Sequence, residues 1–331
     1  MISINDVAKK AGVAKSTVSK VLNNYSMISE DTRLKVEKAV EELGYIPNSA
    51  AKSLSKKEFN RIGLFIDISC SNQFVDEINM QYLMGAFEKA KEYHNEVITF
   101  FSSQFEEMSY REISDFFKSQ SINCLIIYNL SLENKKIYKI IEKQEFFCVL
   151  VDSSVTNKKT SSVSIDHFQA QYDVAKKTFD ENYYINHVLY IAGGPGGYIT
   201  GQRLDAVKKL RDERCFKLTV QYGDFSEYKA RKITQKYASQ INAVVCASDI
   251  MAIGAVFALT EMDLFRPVCG FDGIRLMGYT QIAMNTVKQD FSRKSRQAFD
   301  ELKRLLDGET GRHVLVPYEV CKINYADVIQ T

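Results

Sequence analysis

The stretch INDVAKKAGVAKSTVSKVLN at residues 4–23 decides the architecture of the N-terminal part of this chain. Apolar residues recur there at the three- and four-residue spacing of a helix, first over residues 4–10 and again over 15–23. Gly12 lies in the tight turn between these segments and can take a positive φ angle at little cost. The pattern predicts a helix-turn-helix, followed by a third helix at about 29–43 that closes a small core.

The predicted second helix has a polar outer face that suits nucleic acid. Its lysine and serine side chains are donors that can reach base edges in the major groove and the flanking phosphates. Residues 1–20 carry four lysines and one aspartate, a local charge of +3, whereas the whole chain of 331 residues carries only +2. A small helical bundle with a solvated polar face is the alternative interpretation of this pattern alone.

The composition is that of a soluble globular protein, with 45% hydrophobic residues and 43 Lys and Arg against 41 Asp and Glu. At about 100–200 residues per domain, the length predicts two or three domains. None of the seven cysteines forms a CxxC pair, so we expect no metal and no cofactor. The N-terminus lacks the apolar core of a signal peptide and no apolar run approaches about 18 residues, so we expect a cytoplasmic protein.

From Arg61 onward, short β-rich runs alternate with amphipathic helical stretches, which is typical of parallel α/β sheets. Predicted strands occupy residues 62–68, 97–101, 124–128, 147–151, 188–191, 218–221 and 244–247. Two successive doubly wound sheets account for this spacing, and such sheets bind ligands beyond the carboxyl ends of their strands. A cleft between two such subdomains is therefore the predicted small-molecule site.

Motifs for catalysis are missing from the sequence. No GxSxG, HExxH or GxxxxGK[ST] pattern occurs, and none of the four histidines lies in a triad-like pattern. We therefore expect a binding protein rather than an enzyme.

Residues 4–23, with Gly44-Tyr45-Ile46-Pro47-Asn48 and the later Ala51 and Leu54, closely resemble the head-piece of the lactose/galactose repressor family. The resemblance continues more weakly through the rest of the chain. It implies an all-α helix-turn-helix domain at residues 1–46, a hinge helix or linker at 47–60, and an effector-binding core at 61–331. The core is expected to consist of two doubly wound α/β subdomains, like those of periplasmic sugar-binding proteins.

In that fold the chain passes between the subdomains three times, and we expect the crossings near residues 158–162, 286–291 and 313–316. The first subdomain would then comprise about 61–160 and 288–314. The second would comprise about 161–287 and 315–331.

The resemblance also implies roles for individual residues of the head-piece and hinge. Base-reading residues would be Lys15, Ser16 and Lys20; backbone contacts would come from Thr17, Ser19 and Asn23; the hinge would contribute Asn48, Ala51 and Leu54. An apolar wedge such as Leu54 kinks the duplex at a deformable central step, although Leu54 packing on the core is the alternative. Ala14 stands where the family usually has a capping Ser, and Lys20 replaces a usual Arg, which predicts a different base preference.

Candidate ligand-binding residues lie on loops that face the cleft. The loop after the first strand offers Ser71, Asn72 and Phe74, with Phe74 able to stack on a sugar ring or merely to anchor the next helix, and Asp152 follows a later strand. By resemblance, the set also includes Asp166, Arg203, Ser248, Asp249 and Asp272. His167 stands where the family usually has Asn after the acid, which weakens the transfer of a ligand role to that loop.

The resemblance implies a ligand-responsive, sequence-specific transcriptional regulator, a repressor of carbohydrate-utilisation genes. It would bind a pseudo-palindromic operator as a homodimer and hold a sugar or sugar derivative in the cleft. A regulator that responds to a non-sugar small molecule or to a protein co-regulator is one alternative, and a sugar-binding transport protein is another.

Overall fold

A computed structural model describes residues 2–22, 25, 28–45, 61–67, 76–182, 184–195, 197–280 and 282–329. The chain divides into two compact units, residues 1–60 and 61–331. The predicted hinge at 47–60 lies outside the described residues.

The helices are α1 Ile4–Ala11, α2 Lys15–Leu22, α3 Glu30–Leu43, α4 Asp76–Glu92, α5 Tyr110–Ser119, α6 Lys135–Lys143, α7 His167–Asp180, α8 Tyr198–Arg214, α9 Glu227–Tyr237, α10 Asp249–Glu261, α11 Phe291–Leu306 and α12 Tyr325–Ile329, with 3-10 turns at Ser102–Phe105 and Arg275–Thr280. The strands are β1 Arg61–Ile66, β2 Glu96–Phe101, β3 Cys124–Tyr128, β4 Phe147–Val151, β5 Thr160–Ser164, β6 His187–Ala192, β7 Lys217–Tyr222, β8 Ala243–Cys246, β9 Val268–Cys269, β10 Met284–Gln289, β11 His313–Leu315 and β12 Tyr318–Ile323.

The first unit has the predicted helix-turn-helix followed by a third helix. At the start of α1, the Ser3 N–H donates to Asp6 Oδ2 over 2.8 Å, and α1 ends at Gly12, whose φ of 66° is the positive value that the turn requires. The three helices close on a core of small apolar side chains: Val7, Ala8, Val18, Val21, Val36 and Ala39. An ion pair of 2.7 Å between Lys10 and Glu42 ties α1 to α3.

The second unit contains two six-stranded sheets, as the α/β alternation predicts. The order is β11-β5-β4-β3-β1-β2 in the first sheet and β12-β10-β9-β8-β6-β7 in the second. Every pairing is parallel except that of β12 with β10. Central strands such as β3 and β6 are buried along their whole length, which explains why they appear as continuous apolar runs.

The first crossing between the sheets lies later than predicted. Residues 160–164 form β5, which pairs with β4 of the first sheet, so the crossing follows Ser164 and the predicted boundary at 160/161 is a few residues too early. β5 escaped prediction because its sequence, TSSVS, is rich in hydroxyls although the strand is fully buried. The other crossings follow Gln289 and Leu315.

In this fold the carboxyl ends of β4, β8, β9 and β10 carry the loops that approach one another between the two sheets. The hydrophobic core runs through both sheets and their covering helices, so these loops rest on rigid elements. Across the described part of the chain, no helix combines the length and apolar character needed to cross a membrane.

Candidate functional site

The polar face that the sequence predicts for DNA binding lies on α2. Lys15, Ser16 and Lys20 are exposed, and Thr17 and Ser19 are half-buried. Buried Val18 and Val21 anchor the opposite side of the helix. Ala14, which precedes α2, has no side-chain acceptor with which to cap it.

Several of the predicted site residues lie outside the described residues: Asn23, Asn48, Ala51 and Leu54 of the DNA-binding set, and Ser71, Asn72 and Phe74 of the ligand-binding set. The other ligand-binding candidates divide into two groups. Asp152, Arg203 and Asp272 meet in one buried polar cluster between the sheets, whereas Asp166, Ser248 and Asp249 support the backbone around it.

Asp152 directly follows β4, with a φ of 59°, a strained value that clusters at functional sites. Lys294 Nζ donates to both of its carboxylate oxygens, at 2.7 and 2.8 Å, and Tyr82 donates its hydroxyl over 2.7 Å. Burial disfavours ionisation of Asp152, but the ammonium of Lys294 and a hydrogen bond from His167 outweigh it and hold the pKa of Asp152 well below its usual range.

His167, the first residue of α7, is fully buried between two charged groups. Its Nε2 lies 3.1 Å from Asp152 Oδ1 and its Nδ1 lies 3.2 Å from an Arg203 Nη2 nitrogen. A guanidinium only donates hydrogen bonds, so Nδ1 accepts and the ring proton sits on Nε2. Burial and the nearby guanidinium lower the pKa of His167 to about 4, so the ring is neutral at physiological pH.

Arg203 projects from α8 and is only 4% exposed. Its guanidinium stacks on the Phe271 ring at 3.5 Å and donates to the carbonyl of Ala247 at the end of β8. The nearest Asp272 oxygen is 3.9 Å away, beyond hydrogen-bond distance. The Nε of Arg203 is buried and has no hydrogen-bond partner among the described residues.

Asp272 follows β9 with a φ of 131°, which L side chains rarely adopt. Its Oδ1 accepts a hydrogen bond of 2.9 Å from Gln289, the last residue of β10. Burial raises the pKa of Asp272, while the guanidinium of Arg203 opposes that shift. The side chain is 13% exposed and is the least buried carboxylate of the cluster.

Asp249 holds the loop that carries Asp272. Its Oδ2 accepts from the N–H groups of Gly273 and Ile274, at 2.6 and 2.9 Å, and its Oδ1 accepts from Thr286 over 2.6 Å. Burial, reinforced by the charge of Asp272, raises the pKa of Asp249. These contacts occupy the carboxylate, so Asp249 fixes the loop.

Ser248 and Asp166 both cap helices. The buried Ser248 hydroxyl accepts from the Met251 N–H at the start of α10, and the exposed Asp166 accepts from the Gln169 N–H at the start of α7 over 2.8 Å. Neither residue bonds to the Asp152–Arg203–Asp272 cluster within the described structure. Both positions are consistent with a framework role.

Lys294, Gln289 and Tyr82 complete the cluster and were not predicted. Lys294 lies on α11 and is 0% exposed. The sequence contains a signal for Lys294, because this lysine shares a helix face with the buried apolar residues Phe291, Ala298 and Leu302. A lysine on such a face needs a buried partner. In the described ranges, no group of three or more His, Cys, Asp or Glu could hold a metal ion.

Comparison with known proteins assigns the family. The family model for bacterial regulatory proteins of the lacI family matches residues 3–48. The HTH-type transcriptional regulator RegA of Clostridium saccharobutylicum is 30% identical over 281 residues, covering 82% of each chain. This chain belongs to the lacI family. It is therefore a helix-turn-helix transcriptional regulator and not an enzyme.

Further relatives and solved structures are similar along almost the whole chain. HTH-type transcriptional regulator AscG of Escherichia coli is 24% identical and covers 93% of both chains. The solved lac repressor dimer bound to operator and the anti-inducer ONPF has the same fold, with a TM-score of 0.79, 23% identity and coverage of 98% and 99%. A complex of the regulator CelR with cellobiose gives a TM-score of 0.70 at 19% identity, covering 97% and 98%.

Proposed function

We propose that this lacI-family regulator represses carbohydrate-utilisation genes and that a neutral sugar or sugar derivative in the cleft between the two sheets controls its hold on DNA. The proposal rests on the surroundings of the Arg203 guanidinium. Its buried Nε has no partner within the described structure, and a carboxylate, Asp272, lies 3.9 Å from its guanidinium. A donor beside an acceptor matches two adjacent sugar hydroxyls.

The charge balance of the cluster supports a neutral effector. Arg203 and Lys294 are cations, and Asp152 is a carboxylate with a lowered pKa. Burial raises the pKa values of Asp249 and Asp272, and the charge of Asp272 raises that of Asp249 further. Each of the two cations has a carboxylate beside it, Asp152 at Lys294 and Asp272 at Arg203, so the cluster has no large excess of either charge. A charged effector would bring a buried charge without a counter-ion, at a large desolvation cost.

For the head-piece, we propose base contacts by Lys15, Ser16 and Lys20, which are exposed on α2. We propose that Thr17, Ser19 and Asn23 contact the DNA backbone. We propose that Asn48, Ala51 and Leu54 act in the hinge. We propose that the protein is a cytoplasmic homodimer and that it binds a pseudo-palindromic operator, because a two-fold symmetric dimer presents two head-pieces to two half-sites.

A thermal-shift screen of the full chain tests the effector class, with neutral sugars, sugar phosphates and purines as separate arms. A ligand at a hundredfold its Kd stabilises the folded state by about 2.7 kcal/mol. We expect a hit among the neutral sugars that also changes the affinity for an operator selected in vitro. A hit confined to sugar phosphates or purines would reject the neutral-sugar proposal.

Arg203→Lys serves as the site variant because it keeps the charge but removes the Nε donor. We expect it to bind operator as the wild type does and to lose the thermal shift. Arg211→Lys, on the partly exposed side of the same helix, is the matched control and should keep both. A full shift in Arg203→Lys would contradict the placement of the effector.

A further inference from the structure

A continuous chain of hydrogen bonds runs from the first subdomain to the second through His167. Asp152 follows β4 of the first sheet, whereas His167 begins α7 and Arg203 lies on α8, both packed in the second subdomain. His167 donates from Nε2 to Asp152 and accepts at Nδ1 from Arg203, at 3.1 and 3.2 Å. One imidazole therefore joins a carboxylate on one side of the cleft to a guanidinium on the other.

The hydrogen bonds of Asp152 and His167 are made with other side chains of this protein. Asp152 receives hydrogen bonds from Lys294, Tyr82 and His167. His167 is 0% exposed and has a partner on both ring nitrogens. Separating the subdomains would break the bond between His167 and Asp152, and Arg203 orients the imidazole for that bond from within the second subdomain.

A second contact crosses the cleft at a different place. The backbone N–H of Arg275, at the start of the 3-10 turn of the second subdomain, lies 3.3 and 3.2 Å from the two carboxylate oxygens of Glu77 on α4 of the first. The Arg275 amide lies in the 3-10 turn, whereas His167 lies on α7. Its protection from solvent exchange therefore reports closure independently of the His167 contacts.

We propose that His167 is a positioning residue that ties the two subdomains together across the cleft, and that the effector competes with His167 for Arg203. The inference deepens the proposed function, because it concerns the regulation of the same cleft. An effector oxygen that accepts from Arg203 Nη2 leaves His167 Nδ1 without its donor and so weakens the tie to Asp152. The closed population lowers the apparent effector affinity in proportion to its share of the molecules.

Two substitutions cut the bridge at opposite ends. His167→Gln places an amide near the former Nε2, so it retains the donor to Asp152 but loses the acceptor for Arg203. His167→Asn places its amide near the former Nδ1, so it retains the Arg203 side but no longer reaches Asp152. If both bonds are needed for closure, both variants must open the cleft.

The control is His187→Gln. His187 is also a buried histidine, but its Nε2 lies 2.9 Å from Thr219 Oγ1 on the neighbouring strand of the same sheet. This variant removes a ring of the same size without touching a contact between subdomains. It therefore separates loss of closure from a general loss of packing.

The experiment measures amide hydrogen exchange at Arg275 in the full chain without any effector, with urea unfolding of each variant alongside. We expect exchange to be at least about tenfold faster in both His167 variants, the effect of losing one hydrogen bond to a charged group, and unchanged in His187→Gln. If one His167 variant does not fold, the other one carries the test.

Wild-type exchange in either folded His167 variant would overturn the proposal, as would equal acceleration in His187→Gln. Because no effector is present, failure to find a sugar ligand leaves this test intact. Conversely, a result showing that His167 does not hold the cleft closed would not contradict the proposal that a sugar binds there.

Discussion

Lys294 Nζ lies 2.7 and 2.8 Å from the two carboxylate oxygens of Asp152, and the two side chains are 0% and 6% exposed. Residues 142 positions apart thereby form a buried ion pair. Gln289 accepts a further hydrogen bond from the same ammonium. The pair links the last long helix of the first subdomain to the strand end on which the cleft cluster is built.

Breaking this pair from one side should be severely destabilising. Lys294→Met leaves the Asp152 carboxylate buried without its cation, and such losses cost about 3–5 kcal/mol. We expect that reduction in the free energy of unfolding of the core, measured by urea titration. Lys209→Met, which removes a half-exposed lysine at 3.9 Å from Glu213, is the control and should change it by less than about 1 kcal/mol. A loss below about 1 kcal/mol in Lys294→Met would show that Asp152 is compensated by other groups.

The neutral state of His167 predicts a pH dependence of stability. Its pKa is lowered to about 4 in the folded protein from an ordinary value of 6.5, so the unfolded chain binds more protons between these values and the His167 contribution to stability rises with pH. A pKa lowered this far corresponds to up to about 3 kcal/mol of stability. The contribution is fully present above about pH 6.5 and is lost as the pH falls towards 4.

Comparing the wild type with His167→Gln isolates this contribution, because the raised pKa values of Asp272 and Asp249 act in the opposite direction in both proteins. The difference in unfolding free energy should grow from pH 4 to 6.5 and then level off. A difference that stays constant over that range would mean that His167 titrates normally.

Asp249 should prove structural rather than ligand-binding. Asp249→Ala leaves the buried Ile274 N–H and the Thr286 hydroxyl without this acceptor and removes the shorter of two bonds from the Gly273 N–H, at about 1–3 kcal/mol for each unsatisfied group. We expect the unfolding free energy to fall by more than about 2 kcal/mol. Ser248→Ala, which removes one cap on α10, should cost only about 1 kcal/mol. Equal losses in the two variants would contradict the anchoring role of Asp249.

The exposed face of α2 predicts which lysines matter for DNA. Lys20→Ala should weaken binding to an operator selected in vitro by about 1–3 kcal/mol, with a smaller effect on random duplex. Lys10→Ala is the control, because Lys10 pairs with Glu42 over 2.7 Å within the head-piece and should have little effect on either DNA. Fluorescence anisotropy measures both. Equal losses by Lys20→Ala on operator and random DNA would make Lys20 a phosphate contact.

Local patterns in the sequence were sufficient for the head-piece and for most of the two sheets. Helical periodicity and the turn at Gly12 predict α1 to α3, and apolar runs predict the buried central strands, because these features depend on neighbours within a few residues. The same reasoning did not include β5 or β9 to β12 among the predicted strands. The buried hydroxyls of β5 find partners such as Glu301 and His313 far along the chain.

The candidate site, like the fold, could be predicted only in part from the sequence. The sequence alone determined that Arg203, Asp152 and Asp272 belong to loops or helices at the cleft, and that a DNA-reading module precedes the core. Only the tertiary structure decided that Ser248 and Asp166 cap helices, that Asp249 anchors a loop, and that Lys294 and His167 enter the cluster. The physical reason is that a buried charge acquires its partner from packing between distant elements, and no local spacing specifies that partner.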